Sequence, residues 1–216
     1  MTVRWLAALA LLLLASCLAV RDLVDDRAYF ERWVAATPER AAAFSRFEAQ
    51  LQAANVGDVV PAYQLWMVDQ LRPECAPERF WIPPEEEWSR IVPALVFIRD
   101  HVRPVIGEVR VVSGYRAPEF NACIRGAPQS AHRQYQALDL VPLNRALTRE
   151  RLIELLCPVH AAAGAQANVG LGIYAGVRFH IDARGFRGWG SNYHRTTFPC
   201  DGARRADLDD GGHGAT

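Results

Sequence analysis

The spacing of apolar residues predicts that the first part of the chain is helical. Residues 21–55 are rich in alanine, and Phe44, Phe47 and Leu51 recur at spacings of three and four, which places them on one helix face. Thr37, which a proline follows, is typical of a helix start, because its hydroxyl can cap the helix and proline needs no amide partner in the first turn.

The next stretch is less regular. Residues 71–84 hold four prolines and are predicted to be irregular. A helix is predicted over residues 85–102, with a kink at Pro93, because the proline ring removes a backbone hydrogen bond. Another helix is predicted over residues 148–163, with Thr148 as its cap.

After residue 107 the apolar period shortens towards two, which predicts strands. Residues 108–113 alternate, and residues 137–141 are nearly all apolar, as in a buried strand. Residues 169–174 and 178–184 are predicted to form a hairpin. The whole pattern predicts an α+β fold, in which a small and mostly antiparallel sheet with packed helices follows a helical N-terminal segment.

The N-terminus predicts export. Arg4 precedes an apolar run over residues 5–14, which is short for a membrane span and typical of a secretory signal. The run leads into Leu-Ala-Ser-Cys, ending at Cys17, which resembles the lipobox of bacterial lipoproteins. A plain signal peptide with a chance cysteine and a single membrane anchor are the alternatives. We predict that Cys17 is lipidated and holds the protein to a membrane in the periplasm of the bacterial cell envelope.

Four other cysteines follow Cys17 in the chain. An even number in an exported chain permits two disulfides, in any of three pairings. The four are Cys75, Cys123, Cys157 and Cys200.

Composition and charge exclude several classes of function. The chain of 216 residues has 24 basic and 24 acidic residues, and every basic residue is arginine. Schiff-base enzymes, phosphate-loop NTPases and kinases need a lysine amine, so these classes are excluded. The zero net charge argues against a nucleic-acid partner, because proteins that bind nucleic acid usually carry an excess of basic residues.

Two of the predicted strands carry polar residues where a core is expected. Asp139 shares a strand face with Ala137 and Val141, and a buried carboxylate needs a cation or several donors. In the strand over residues 178–184, His180 and Asp182 share the face opposite the apolar residues. With His132, these residues provide two imidazoles and a carboxylate, which suits zinc. The alternatives are a structural histidine, an Asp139–arginine pair and an ordinary His180–Asp182 polar pair.

Taken together, the motifs resemble a known family. Ser-Gly-Tyr-Arg at residues 113–116 with Asn121, then Ser130-x-His132-x4-Ala-x-Asp139, then Gly-x-Gly-x-Tyr at residues 170–174, and Phe-His-x-Asp ending at Asp182 occur in that order. This order resembles the zinc D-alanyl-D-alanine carboxypeptidase family, which includes the vancomycin-resistance dipeptidases and some phage endolysins. The likeness covers about residues 88–189.

The resemblance implies roles for individual residues. It implies that His132, Asp139 and His180 bind zinc, that Arg116 engages a carboxylate or carbonyl oxygen of the substrate, and that Ser130 lines the site.

Two positions depart from the family pattern. Tyr135 replaces a glycine of the ligand loop, and Val177 stands where many members have an acidic general base. Asp182 is the best candidate for that base, and equally a candidate for orienting a ligand histidine.

The predicted function is zinc-dependent hydrolysis of a D-amino-acid-containing peptide bond in peptidoglycan, by carboxypeptidase or endopeptidase action on stem peptides. The alternative is a non-catalytic envelope lipoprotein that binds wall peptides. The predicted domains are a lipoprotein signal peptide (1–16), a helical segment and linker (17–84), a zinc peptidase-like catalytic domain (85–200) and a disordered tail (201–216).

Overall fold

The computed structural model describes residues 26–68, 73–75 and 78–201. The predicted signal peptide, Cys17 and the predicted tail beyond residue 201 lie outside the described residues. The chain divides into two compact units, Met1–Phe47 and Glu48–Thr216.

The first unit is helical, as predicted. Helix α1 covers residues 26–35, and α2 runs over Pro38–Ala53. The backbone amide of Arg40 donates to the hydroxyl of Thr37 at 3.3 Å, which confirms the predicted cap. Within this unit the ring of Phe30 meets Phe44 edge-on, with centroids 4.6 Å apart.

The helical stretch over residues 85–106 changes pitch along its length. A 3₁₀ segment, Glu85–Ile91, is followed by α3 (Val92–Phe97), a π turn (Ile98–Val102) and α4 (Arg103–Ile106). A single helix with a kink at Pro93 was the expectation. Instead Pro93 and Pro104 lie in the first turns of α3 and α4, where a missing amide hydrogen costs no helical bond.

The second unit is built on one five-stranded sheet, with spatial order β1-β2-β4-β3-β5. The strands are β1 (Val109–Ser113), β2 (Ala137–Pro142), β3 (Gly170–Ile173), β4 (Phe179–Asp182) and β5 (Arg187–Trp189). All neighbours are antiparallel except β3 and β5, so the α+β prediction and the β3–β4 hairpin are confirmed. Strand β5 was not predicted, because a three-residue segment with a central glycine has no strand pattern.

Two helices complete this unit. Short helix α5 (Pro118–Cys123) follows β1, and α6 (Arg149–Ala167) packs against β3 and α4. The hydroxyl of Thr148 accepts from the amide of Arg151 at 3.2 Å, which confirms the second predicted cap. The helix continues four residues past the predicted end, to a left-handed Asn168 that closes its last turn.

The four cysteines after Cys17 form two disulfides, as their even number permits. Cys75 pairs with Cys123, and Cys157 pairs with Cys200. The first bond joins residues 73–75 to the end of α5, and the second joins α6 to the chain beyond β5.

Residues 48–68 belong to the same compact unit as the sheet. The amide of Val111 in β1 donates to the side-chain oxygen of Gln64 at 3.0 Å, and the amide of Gly114 donates to the carbonyl of Met67 at 2.9 Å. This stretch of chain therefore completes the hydrogen bonding of β1.

No helix among the described residues is both long and apolar enough to cross a membrane.

Candidate metal centre

The centre is built on one row of residues that runs across all five strands. Residues directly opposite one another in a sheet point to the same face. In spatial order the row is Ser113, Asp139, His180, Gly172 and Trp189. Asp139 and His180 therefore emerge side by side, as the predicted strand faces require.

A second row lies two residues along the strands on the same face. Its members are Ala137, Asp182, Gly170 and Arg187. The second row supports the first, because Asp182 contacts His180 from behind.

His132 comes from a 3₁₀ turn, Ala131–Gln134, that enters β2. Its Nδ1 donates to the carbonyl of Gly114 at 2.7 Å, which fixes the ring and directs Nε2 at the sheet. The amide of Arg116 donates to the carbonyl of His132 at 3.1 Å, so the chain after β1 and the ligand turn hold each other in place.

Three potential ligand atoms converge in a small triangle. His132 Nε2 lies 3.2 Å from His180 Nδ1 and 3.4 Å from Asp139 Oδ1, and the last two atoms are 2.8 Å apart. All three residues are buried. Ligands about 2.0–2.1 Å from a tetrahedral zinc ion lie about 3.3 Å from one another, so the triangle is of the right size. The donor set, two imidazoles and one carboxylate, also suits zinc and leaves one position for water or substrate.

The other oxygen of Asp139 is held by two arginines. Oδ2 accepts from Arg116 at 2.7 Å and from Arg178 at 2.6 Å. Burial alone would raise the pKa of this fully buried carboxyl, but the hydrogen bond from His180 and the charge of Arg116 hold that pKa well below its usual range. Asp139 is therefore a fixed carboxylate that offers Oδ1 towards the two histidines.

The two histidines respond differently to burial. Burial lowers the pKa of His132 to about 4, and the nearby Arg116 contributes, so its imidazole is neutral and ready to act as a ligand. Burial would lower the pKa of His180 as well, but its hydrogen bonds to Asp139 and Asp182 outweigh burial and raise that pKa.

Asp182 contacts the ring nitrogen of His180 that faces away from the triangle. Nε2 donates to Asp182 Oδ2 at 3.1 Å. Asp182 also accepts from Arg187 at 2.8 Å and from the amide of Arg184 at 2.9 Å. Of the two roles predicted for Asp182, these contacts favour orienting the histidine, since the carboxylate lies behind the ring and does not line the cavity.

The two glycines of the Gly-x-Gly-x-Tyr motif make room for this arrangement. A Cβ at Gly172 would lie 2.5 Å from the indole of Trp189, whose ring packs against His180 with centroids 5.0 Å apart. A Cβ at Gly170 would lie 2.8 Å from the carboxylate of Asp182. Strand β3 therefore lets side chains from both of its neighbours approach its backbone.

Tyr174, the last residue of that motif, brings a hydroxyl to the triangle. Its oxygen lies 3.4 Å from Asp139 Oδ1 and 3.5 Å from His180 Nδ1. Burial, and the charge of Asp139, raise the pKa of this phenol, so it stays protonated as a hydrogen-bond donor.

Tyr135 keeps the backbone conformation that the family glycine would allow. Its φ is +51°, in the left-handed region, and its side chain is fully buried. The hydroxyl donates to the carbonyl of Leu65 at 3.4 Å, and the ring meets Tyr115 edge-on. The substitution therefore leaves the ligand turn in place and anchors it to residues 62–66.

A cavity of about 800 Å³ opens onto the triangle. His132 and His180 line it together with Tyr174 and Trp189, and Ser130 lies in its wall as predicted. Arg116, Arg187 and Gly188 also line it, and two loops form the rest of the wall, residues 124–131 and residues 192–195. The side-chain amide of Asn121 donates to the carbonyls of Gly126 and Ala127 at 3.3 and 3.1 Å, which holds the first loop.

The structure thus brings together the residues that the sequence proposed. His132, Asp139, His180 and Arg116 are in direct contact, Ser130 lines the cavity, and Asp182 lies one contact behind.

No role was predicted for Arg178, which pairs with Asp139, although strand alternation placed Arg178 on the correct face. Tyr174 was predicted only as the last residue of a motif, without a role.

A protein-family model matches part of this chain. Neither the curated proteins nor the solved structures give a match to this chain. The family model described as Peptidase M15 matches residues 87–175. The match contains Arg116, Ser130, His132 and Asp139 and ends before His180, which the β2–β4 pairing supplies. Over this region the chain is similar to the peptidase M15 family, which supports the resemblance that its motifs carry.

Proposed function

We propose that this protein is a zinc peptidase that hydrolyses a D-amino-acid-containing peptide bond of peptidoglycan. The observation that carries the proposal is the triangle of His132 Nε2, Asp139 Oδ1 and His180 Nδ1 at the wall of an open cavity. The family match adds the reaction class, because its members are peptidases.

His132, Asp139 and His180 would hold the zinc ion. When bound, zinc would lower the pKa of a water ligand from about 15.7 to near 7 and would polarise the scissile carbonyl. The chain supplies positioned donors beside this point. Arg116 offers a guanidinium between Asp139 and the cavity, suited to a carboxylate or a developing oxyanion. The protonated hydroxyl of Tyr174 is a second donor, 3.4 Å from Asp139.

One observation favours the second candidate, a non-catalytic protein that binds wall peptides. Among the described residues, no aspartate or glutamate lines the cavity, and Val177 occupies the position of the acidic base found in many members. A peptidase of this design would have to move the water proton through a group other than a carboxylate in the cavity.

Export and lipidation at Cys17 are part of the proposal. They are supported by the sequence before Cys17, and by the two disulfides, since such bonds persist in oxidising compartments such as the periplasm. The proposed substrate, the peptidoglycan stem peptide, is found in the same compartment.

Mass spectrometry of muropeptides tests the proposal. Zinc-loaded protein is incubated with muropeptides of known structure, beside His132→Ala and the control His101→Ala, whose ring packs on Phe97 outside the cavity. Loss of one terminal D-alanine would identify a carboxypeptidase, and opening of a cross-link an endopeptidase. We expect His132→Ala to be inactive and His101→Ala to equal the wild type. Binding without any product would support the second candidate, and equal cleavage by His132→Ala would refute the metal site.

A further inference from the structure

The cavity is lined by positive side chains. Four arginines belong to its wall, together with three histidines, and no acidic residue among those described does. The arginines are Arg116, Arg125, Arg187 and Arg195.

Three of these arginines already bind a carboxylate of the protein. Arg116 pairs with Asp139 at 2.7 Å, and Arg187 pairs with Asp182 at 2.8 Å. Arg195 binds both oxygens of Asp201, at 2.9 and 3.0 Å. Within the described part of the chain, the side chain of Arg125 makes no hydrogen bond or ion pair. Its charge is therefore available to a ligand.

The backbone at Arg125 is held in a conformation that favours glycine. Its φ is +55°, and it follows the last turn of α5, where its amide donates to the carbonyl of Ala122 at 3.0 Å. A left-handed conformation costs a non-glycine residue about 1–2 kcal/mol. The backbone conformation therefore does not account for the presence of an arginine at position 125, and we look for a role of its side chain.

The loop after Arg125 is fixed by side chains on both sides. Asn121 donates to the carbonyls of Gly126 and Ala127. Arg133 donates to the carbonyl of Pro128, and Arg184 donates to that of Gln129. A loop with four of its carbonyls bound in this way holds Arg125 at the cavity at little entropic cost to ligand binding.

We propose that Arg125 binds a carboxylate of the substrate peptide and so determines specificity for an anionic peptide. The choice of a peptide rests on the proposed function, and the choice of a carboxylate rests on the charge of the cavity. A planar guanidinium can donate two parallel hydrogen bonds to a carboxylate, which neither a histidine nor an amide can do. The carboxylate is either the C-terminal group or one within the peptide, and the test separates them.

The test uses the full chain and a set of synthetic stem peptides. One peptide has every carboxylate free, and each of the others has a single carboxylate converted to an amide. KM is measured with zinc-loaded protein, and Kd is measured by calorimetry with chelator-treated protein, so that one measurement does not need turnover. The variants are Arg125→Gln, Arg125→Lys and the control Arg151→Gln, which removes the same charge from the surface of α6 beyond the cavity.

We expect Arg125→Gln to raise KM and Kd of the all-free peptide about 5- to 20-fold, the range of a charged hydrogen bond that is partly screened by solvent. One amidated peptide should bind wild type and Arg125→Gln equally, and it identifies the carboxylate. Arg125→Lys should recover part of the loss, and Arg151→Gln should match the wild type.

Equal KM and Kd for wild type and Arg125→Gln on every peptide would overturn the inference, with the proposed function intact if the peptides are cleaved. Binding that depends on Arg125 without cleavage would support the inference and count against the peptidase. If wild type neither binds nor cleaves any peptide, both proposals fail.

Discussion

His180 uses its two ring nitrogens for different contacts. Nδ1 lies in the triangle with Asp139 and His132, and Nε2 donates to Asp182. A carboxylate on the far nitrogen fixes the tautomer and makes the near nitrogen a better ligand. Arg187 in turn donates to that carboxylate. The orientation of the His180 ring therefore depends on Asp182 and Arg187, although neither of them contacts the three atoms of the triangle.

Asp182→Asn separates the two predicted roles of this carboxylate. If Asp182 orients His180, we expect zinc affinity to fall about 10- to 100-fold, because the neutral amide binds the ring and Arg187 less strongly. Competition with a chromophoric chelator measures the affinity. Asp100→Asn is the control, since Asp100 pairs with Arg99 near the surface. Unchanged zinc affinity with lost turnover would instead identify Asp182 as the general base.

We predict that position 172 requires glycine because the indole of Trp189 packs directly against its backbone. Gly172→Ala would place a Cβ 2.5 Å from the indole of Trp189, and we expect a loss of about 1–3 kcal/mol in the free energy of unfolding. Urea unfolding of the single variants and of Gly172→Ala/Trp189→Phe measures the coupling between the two positions. The double variant should lose less than the sum of the single losses, because the smaller ring gives way.

Gly176→Ala is the matched control for this cycle. Gly176 has a φ of +67°, and a methyl group added there would have no atom within 4 Å, so its cost is that of the backbone conformation alone, about 1–2 kcal/mol. It should show no coupling to Trp189→Phe. Additive losses at positions 172 and 189 would show that contact with the indole is not the reason for glycine.

At the scale of secondary structure, the site is a consequence of strand register. Asp139 and His180 are 41 residues apart in the chain and adjacent in the sheet, because β2 and β4 pair with these two residues in opposite positions. A shift of one residue in either strand would turn a ligand to the other face.

Strand faces could be predicted from local sequence, and register could not. Alternation in residues 178–184 placed His180 and Asp182 together, and two helix caps, Thr37 and Thr148, marked helix starts that the structure confirms. The place of Trp189 beside His180 could not be predicted, because it depends on β5 pairing in parallel with β3 next to a glycine. That pairing depends on contacts distant in sequence, which no local pattern records.

The disulfide pairing could not be predicted from the sequence for the same reason, but the structure predicts different reactivity for the two bonds. Cys123 is exposed and Cys75 is half-buried, whereas Cys157 and Cys200 are each only 6% exposed. Thiol–disulfide exchange requires access to a sulfur atom. We expect mild reductant under native conditions to open Cys75–Cys123 first, and alkylation followed by mass spectrometry identifies the cysteines released.

Unfolded protein is the control for this experiment. In urea both bonds are accessible, so the order of reduction should disappear. Each bond closes a long loop, with sequence separations of 48 and 43, so each is expected to contribute about 4 kcal/mol to the free energy of unfolding. Release of Cys157 and Cys200 before the other pair in native protein would contradict the exposure argument.

At the scale of the whole molecule, the sheet is completed by parts of the chain that contribute no side chain to the metal centre. Residues 62–66 bind β1 through Gln64 and receive the hydroxyl of Tyr135, and α6 covers β3. The charges of the centre are also balanced by the protein itself, since Arg116 and Arg178 bind Asp139 and Arg187 binds Asp182. A buried carboxylate with such partners does not need a metal ion in order to remain buried.

Metal removal should therefore lower the stability of the protein without unfolding it. Zinc at 100 times its Kd would add about 2.7 kcal/mol to the free energy of unfolding, which is a rise in Tm of about 5–10 °C for a chain of this size. Thermal unfolding followed by circular dichroism, with chelator and with added zinc, measures the difference. The chelated protein should retain its native far-ultraviolet spectrum and a cooperative transition. His132→Ala/His180→Ala should unfold at one temperature in both conditions, since it lacks two of the three ligands. Loss of the cooperative transition on chelation would show that the arginine pairs do not suffice, and that zinc is part of the folded core.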